Sequence, residues 1–137
     1  MNEIEKLLPH RDPFLFVDEI VEATNEKIVA KHLFTENEYF FKGHFPDYPV
    51  VPGVILVETM AQSGGAGLRK LGTLGEDGLF FFATVDKVKF RRQVRPGDEV
   101  RSELENLRVS PKMIKQRGKA YVGDEVAAEA EWMCLVG

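Results

Sequence analysis

Over residues 50–68 the chain is apolar on almost every side and carries a single charge, Glu58. Pro52 near the start and Gly72 at the end predict one helix opening at Gly53. Because apolar residues surround it on nearly all sides, this helix is expected to be buried all round. Before it, "LFVDEIVEATNEKIVAKHLF" predicts two strands, at about residues 15–23 and 27–34, around a Thr24-Asn25-Glu26 turn. "NEIEKLL" predicts a short helix that stops at Pro9. Gly43, Pro46, Pro49 and Pro52 make residues 39–52 mostly loop.

The second half predicts strands. "LFFFATVDKVKFRR" is aromatic and β-branched, "RPGDE" is a turn, and "VRSELENLRVS" follows. "MIKQRGKAYVG" and "EVAAEAEWMCLVG" predict a closing hairpin around Gly123-Asp124. The order is two strands, a helix, then about four strands. One helix cannot cover both faces of several parallel strands, so an α+β architecture is expected, an antiparallel sheet curling around one central helix. No linker or repeat interrupts residues 1–137, which read as one domain.

Bulk properties narrow the function. The chain has 137 residues and a net charge of −4, which gives no global case for nucleic-acid or membrane binding. Its one cysteine, Cys134, excludes an internal disulfide and fits a reducing, cytoplasmic compartment. The N-terminus lacks the basic start and apolar stretch of a signal peptide. No zinc-ligand spacing, phosphate-binding motif or nucleophile elbow is present. "SGGAG" at residues 63–67 falls inside the helix, where small residues let packed strands approach.

Candidate chemistry lies in "GHFPDYPVVPGVILVETMAQ" at residues 43–62. A lone carboxylate in an apolar helix has its pKa raised by desolvation, which suits Glu58 to a general acid. The alternative is a structural glutamate paired with an arginine. Gln62, one turn on, can hydrogen-bond that carboxyl. Histidine is the residue type suited to act as a base at neutral pH, and at His44 Gly43 and the prolines would turn and stiffen the loop. The alternative is a loop histidine bonded to backbone. His10 and His32 lack such a setting and are given ordinary structural roles. At Gly53 the unpartnered first amides of the helix can receive a carbonyl oxygen gaining charge. Base, acid and oxyanion donors together fit proton abstraction beside a carbonyl, with loss or addition of a group one carbon on. Lys87, Lys89, Arg91, Arg92 and Arg95 form a basic segment, with 87, 89 and 91 on one strand face. It is either a solvated face or a docking patch for an anionic carrier.

These segments resemble the 3-hydroxyacyl-(acyl-carrier-protein) dehydratases of the FabZ type. "LPHRDPFLFVDEI", "NEYFFKGHFPDYPVVPGVILVETMAQ" and "VDKVKFRRQVRPGDEV" look like that family's opening, active-site and post-helix segments, in the same order. The resemblance implies a hot-dog fold and a homodimer with sites at the subunit interface, further assembled as a trimer of dimers. His44 then matches the catalytic histidine, Glu58 the catalytic acid, Gly53 the glycine facing the thioester carbonyl, and Gln62 the supporting glutamine. Phe45 and Phe81 are candidates to line the acyl tunnel. Phe81 stands where some members carry tyrosine. The implied reaction, in fatty acid biosynthesis, is loss of water from a (3R)-3-hydroxyacyl thioester to give the trans-2-enoyl thioester. The substrate rides on the phosphopantetheine of acyl carrier protein, and no metal or other cofactor is implied. Rival readings are a hot-dog acyl-thioester hydrolase and a non-catalytic acyl-thioester-binding module.

Overall fold

A computed structural model describes residues 1–75 and 78–137. Helix α1 (Glu3–Leu7) is closed at its start by a reciprocal capping box between Asn2 and Glu5. Strands β1 (Glu19–Ala23) and β2 (Lys27–Leu33) follow, then a 3-10 turn (Tyr39–Lys42) and the long helix α2 (Gly53–Lys70). The remaining strands are β3 (Phe80–Phe90), β4 (Glu99–Val109), β5 (Met113–Val122) and β6 (Glu125–Val136). They form one antiparallel sheet in the order β1-β2-β4-β5-β6-β3. This is the hot-dog arrangement.

Alternation decides which face meets α2. In β5, Ile114, Gln116, Gly118 and Ala120 are buried, whereas Lys115, Arg117 and Lys119 are exposed. Trp132, Leu104, Ile114 and Ile28 supply large fully buried side chains to the core. The small residues of α2 permit this contact. A Cβ added at Gly64 would meet the Gln116 amide, one at Gly65 the Phe80 ring, and one at Gly67 the Ile28 side chain.

Three expectations need correction. The first strand begins at Glu19, because an α2 side chain takes over part of the ladder's hydrogen bonding further upstream. The Gln62 amide bonds the Phe16 N–H at 2.8 Å and the Phe14 carbonyl at 3.1 Å. Secondly, α2 is not buried all round. Val54 is 71 % exposed, and Glu58 and Ala61 are half-buried, so a stripe on one face is left uncovered by the chain's own sheet. Lastly, Gly43 has φ −110° and open space where a Cβ would lie. The strained position is the neighbouring Phe45, at φ 55°.

Strand β3 is an edge strand, and every residue from Phe81 to Phe90 is exposed. A register shift between Asp86 and Lys89, with Lys87 at φ 53°, bulges it outward.

Gly67→Ala tests the close approach of α2 to the sheet. Alanine gains about 1 kcal/mol of helix propensity. Its Cβ would lie 2.6 Å from Ile28, which is fully buried and branched. Overpacking of that kind costs roughly 1–3 kcal/mol. Overpacking is expected to win, lowering the unfolding free energy by up to about 2 kcal/mol in a chemical-denaturation titration.

Candidate active site

His44 follows the 3-10 turn, and its backbone N–H bonds the Phe40 carbonyl at 2.9 Å. Its ring Nδ1 lies 3.0 Å from the Val50 carbonyl. A carbonyl only accepts, so Nδ1 donates, and in the neutral ring Nε2 is the nitrogen that presents a lone pair. The next residue in that strand of loop is fixed in turn, since Val51 N–H bonds the Val94 carbonyl at 2.8 Å. The Phe45 ring packs on the His44 ring at 4.4 Å.

Glu58 is one turn into α2. Burial pushes its carboxyl above the ordinary carboxylate range, and the Gln62 amide offsets part of that by favouring the ion. The bond from Gln62 Nε2 to Glu58 Oε2 is 2.9 Å. Gln62 cannot flip, because its oxygen is already occupied by the Phe16 N–H. No arginine ion pair to Glu58 is found among the described residues. Its neighbour is His10, whose Nε2 lies 3.7 Å from Glu58 Oε2. At that distance the two are in contact without a hydrogen bond. Burial, then Arg69 and Arg11, hold His10 below the ordinary histidine pKa, so it is neutral at neutral pH. His10 carries no distinguishing signal in the sequence, because the path of residues 8–14 over α2 is not legible from pattern alone.

Gly53 opens α2, and Pro52 provides no side-chain cap, so the first amides remain available. The Phe90 ring lies so close that a Cβ at Gly53 would come within 2.8 Å of it. Cys134 is buried, and burial and the nearby Glu58 push its thiol up to about 11, which keeps it protonated and unreactive. Among the described residues no His, Cys, Asp and Glu group has the arrangement of a metal site.

Within one chain no hydrogen bond or ion pair among the described residues joins His44 to Glu58. Phe81 pairs with exposed Leu135, whereas Phe82 pairs with buried Cys134. Phe81 therefore stands on the sheet face away from α2. The basic segment is largely compensated: Lys87 meets Glu131 at 3.5 Å, Arg91 meets Glu129 at 3.0 Å, and Arg92 meets Asp98 and Glu125. Arg95 stacks on Tyr48 at 4.3 Å. Lys89 pairs in register with Glu129, so despite the bulge 87, 89 and 91 gather beside the same two carboxylates.

The FabA-like domain model matches residues 8–131. The 3-hydroxyacyl-[acyl-carrier-protein] dehydratase FabZ of Desulforamulus reducens is 46% identical over 138 aligned positions, covering 100% of this chain and 96% of that protein. The protein of the same name from Petrotoga mobilis is 47% identical, covering 97% and 94%. Among solved structures, the dehydratase heterocomplex ApeI:P from Xenorhabdus doucetiae aligns with a TM-score of 0.85. That alignment covers 100% of this chain and 92% of that one at 15% identity, a likeness of fold. The full-length match, and the three sequence blocks it spans, place this chain in the FabA-like family, among the dehydratases of the FabZ type.

Proposed function

We propose that this chain, acting as a single domain over residues 1–137, dehydrates (3R)-3-hydroxyacyl thioesters carried on acyl carrier protein to trans-2-enoyl thioesters in fatty acid biosynthesis. The observation that carries the reading is the paired fixing of an acid and a base. His44 is held with Nε2 free, and Glu58 is pushed toward its protonated form and locked by Gln62. The full-length relatives are named for that dehydration.

In the proposed reaction His44 Nε2 removes the α-proton, and the C–H electron pair moves toward the thioester carbonyl. The amide region at Gly53 receives the enolate oxygen, where the helix N-terminus favours negative charge. The electrons then form the Cα–Cβ double bond as the C3–O bond breaks. Glu58 donates a proton to the departing hydroxyl, which leaves as water. The proton on His44 returns through solvent to Glu58, restoring both groups. No metal or organic cofactor takes part in this scheme. The apolar surface of Phe45 and Phe81 is assigned to the acyl tunnel, and Phe81 can serve it only where a second subunit covers the outer face.

What one chain leaves open supports a homodimer. Strand β3 presents a bare edge carrying Phe81, Phe82, Val85, Val88 and Phe90, all exposed. Such an edge is a template for another strand. The uncovered stripe of α2 at Val54, Glu58 and Ala61 is the second surface a partner would cover. We assign His44 and Glu58 of each active site to different subunits, with three dimers forming the full assembly.

His44→Ala and Glu58→Gln should each lower dehydration by about a hundred- to ten-thousand-fold, followed at the enoyl chromophore. Mixing the two inactive variants through an unfolding and refolding step should recover about a quarter of wild-type activity. Half of the dimers would then be mixed, each with one intact site of two. No recovery would place both groups in one chain. Release of free thiol without enoyl product would instead identify a hydrolase, and tight acyl binding without turnover a binding module.

Carrier docking is assigned to Lys87, Lys89, Arg91, Arg92 and Arg95, although their carboxylate partners leave less free charge than the sequence alone indicates. Lys89→Glu with Arg92→Glu should raise KM about tenfold or more for carrier-protein substrate and leave a short pantetheine analogue within about twofold. Equal losses on the two substrates would remove this assignment.

A further inference from the structure

Away from Glu58 and His44, the chain buries a second histidine between two carboxylates. His32 on β2 is 6% exposed. Its Nδ1 lies 2.9 Å from Asp18 Oδ1, and its Nε2 lies 2.9 Å from Glu38 Oε1. Ionised carboxylates only accept hydrogen bonds, so both ring nitrogens must donate, and the ring is an imidazolium. A neutral ring would turn a lone pair toward one of the two anions.

The three residues come from three elements. Asp18 lies just before β1 and also accepts the Leu33 N–H at 2.7 Å. Glu38 immediately precedes the 3-10 turn, and its side chain is 14% exposed. The segment ending at Asp18 contains Phe14 and Phe16, whose backbone holds Gln62 and through it Glu58. The turn after Glu38 contains Phe40, whose carbonyl holds the His44 backbone. The rings of Phe16 and Phe34 pack edge-on against His32 at 5.8 and 4.5 Å, so the cation is seated in the same aromatic cluster that carries both segments.

We propose that His32 is a positioning residue for the dehydration site: its two hydrogen bonds clamp the segment that orients Glu58 to the turn that carries His44. This inference rests on the dehydratase reading of that site. His32 touches neither proposed reacting group and acts only through the two segments it joins.

The clamp depends on a proton. Burial alone would lower the pKa of His32, but the hydrogen bonds and charges of Asp18 and Glu38 outweigh it and hold the pKa above the ordinary histidine value. The complementary shift is on Asp18. Burial would raise it, and the His32 and Leu33 bonds outweigh that and hold it low. A raised histidine pKa means that the clamp is complete below the unfolded value and is lost as pH rises through the folded one. Besides Asp18 and Glu38, Asp12 is the charged group on the rim of the same hollow. On β4 the register partner of His32 is uncharged Val100, and the adjacent Lys31 turns to the other face, toward Glu99.

The test compares wild type with His32→Lys and His32→Gln. Lysine between two carboxylates keeps a cation above the histidine range and can donate to both, whereas glutamine is neutral and supplies no charge to either. At neutral pH, His32→Gln is expected to lower kcat about tenfold with KM within about twofold, and His32→Lys to recover kcat to within about threefold of wild type. Hydrogen exchange, corrected for its intrinsic pH dependence, gives the activity-independent readout. In wild type the amides of Phe16 and His44 should lose protection together as His32 titrates, its protonation followed by ring nitrogen-15 NMR. In His32→Lys that loss should disappear. Wild-type kcat in His32→Gln, or a pH-dependent loss of protection that persists in His32→Lys, would overturn the proposal. If wild type produced no enoyl thioester while the exchange coupling held, the dehydratase reading would fail and the clamp would stand.

Discussion

One side-chain amide, that of Gln62, holds the working parts of this chain in register. Its oxygen accepts the Phe16 N–H, and its nitrogen donates to both the Phe14 carbonyl and Glu58. Gln62 is 2% exposed, and its bond with the Phe16 N–H is fully buried. Loss of such a group would leave a buried backbone donor unsatisfied, at a cost of roughly 1–3 kcal/mol. The segment leading to β1 is thus attached to the middle of α2, and the Glu58 carboxyl is oriented by the same group. Residues 14–16 are positioned relative to the helix by this contact, while α1 has its own ties to the end of α2 through Arg69 and Lys70.

The contact requires α2 to lie close to the sheet, and that is the role of its small residues. Gly64 leaves room for Gln116, which is itself fully buried and bonded to Trp132 and Asn106. Gly67 leaves room for Ile28. The glycines thus cost helix propensity and gain a closer core, and a buried polar network survives because each of these bonds is made.

Much of the architecture was legible in the sequence. The apolar run from Gly53, the aromatic and β-branched stretch that became β3, and the Gly123 hairpin each carry a local signal that the fold does not override. The glycines of α2 were read for close packing and serve it. Where the reading missed, the cause is a partner remote in sequence. Residues 15–18 look like strand, but their polar groups find Gln62 and β2 instead of a long ladder. Gly43 looked like the turning residue, yet the positive φ falls on Phe45. His10 and His32 looked ordinary because a histidine's setting is made by what packs against it. Glu58 for the first, and Asp18 and Glu38 for the second, arrive from other segments. Glu58 and Gln62 were easier, since helical spacing alone brings them together.

The fixed orientation of Gln62 has a stereochemical consequence. Because its nitrogen always faces Glu58 Oε2, the acidic proton is favoured on the other oxygen, Oε1. A carboxyl with one oxygen engaged in this way offers its proton along one direction only. In the proposed reaction a hydroxyl of one hand would meet that proton, and its mirror image would direct a hydrogen there instead. Chirality at the substrate carbon would then be read by the choice between two oxygens of one side chain, a choice made by the backbone of Phe16.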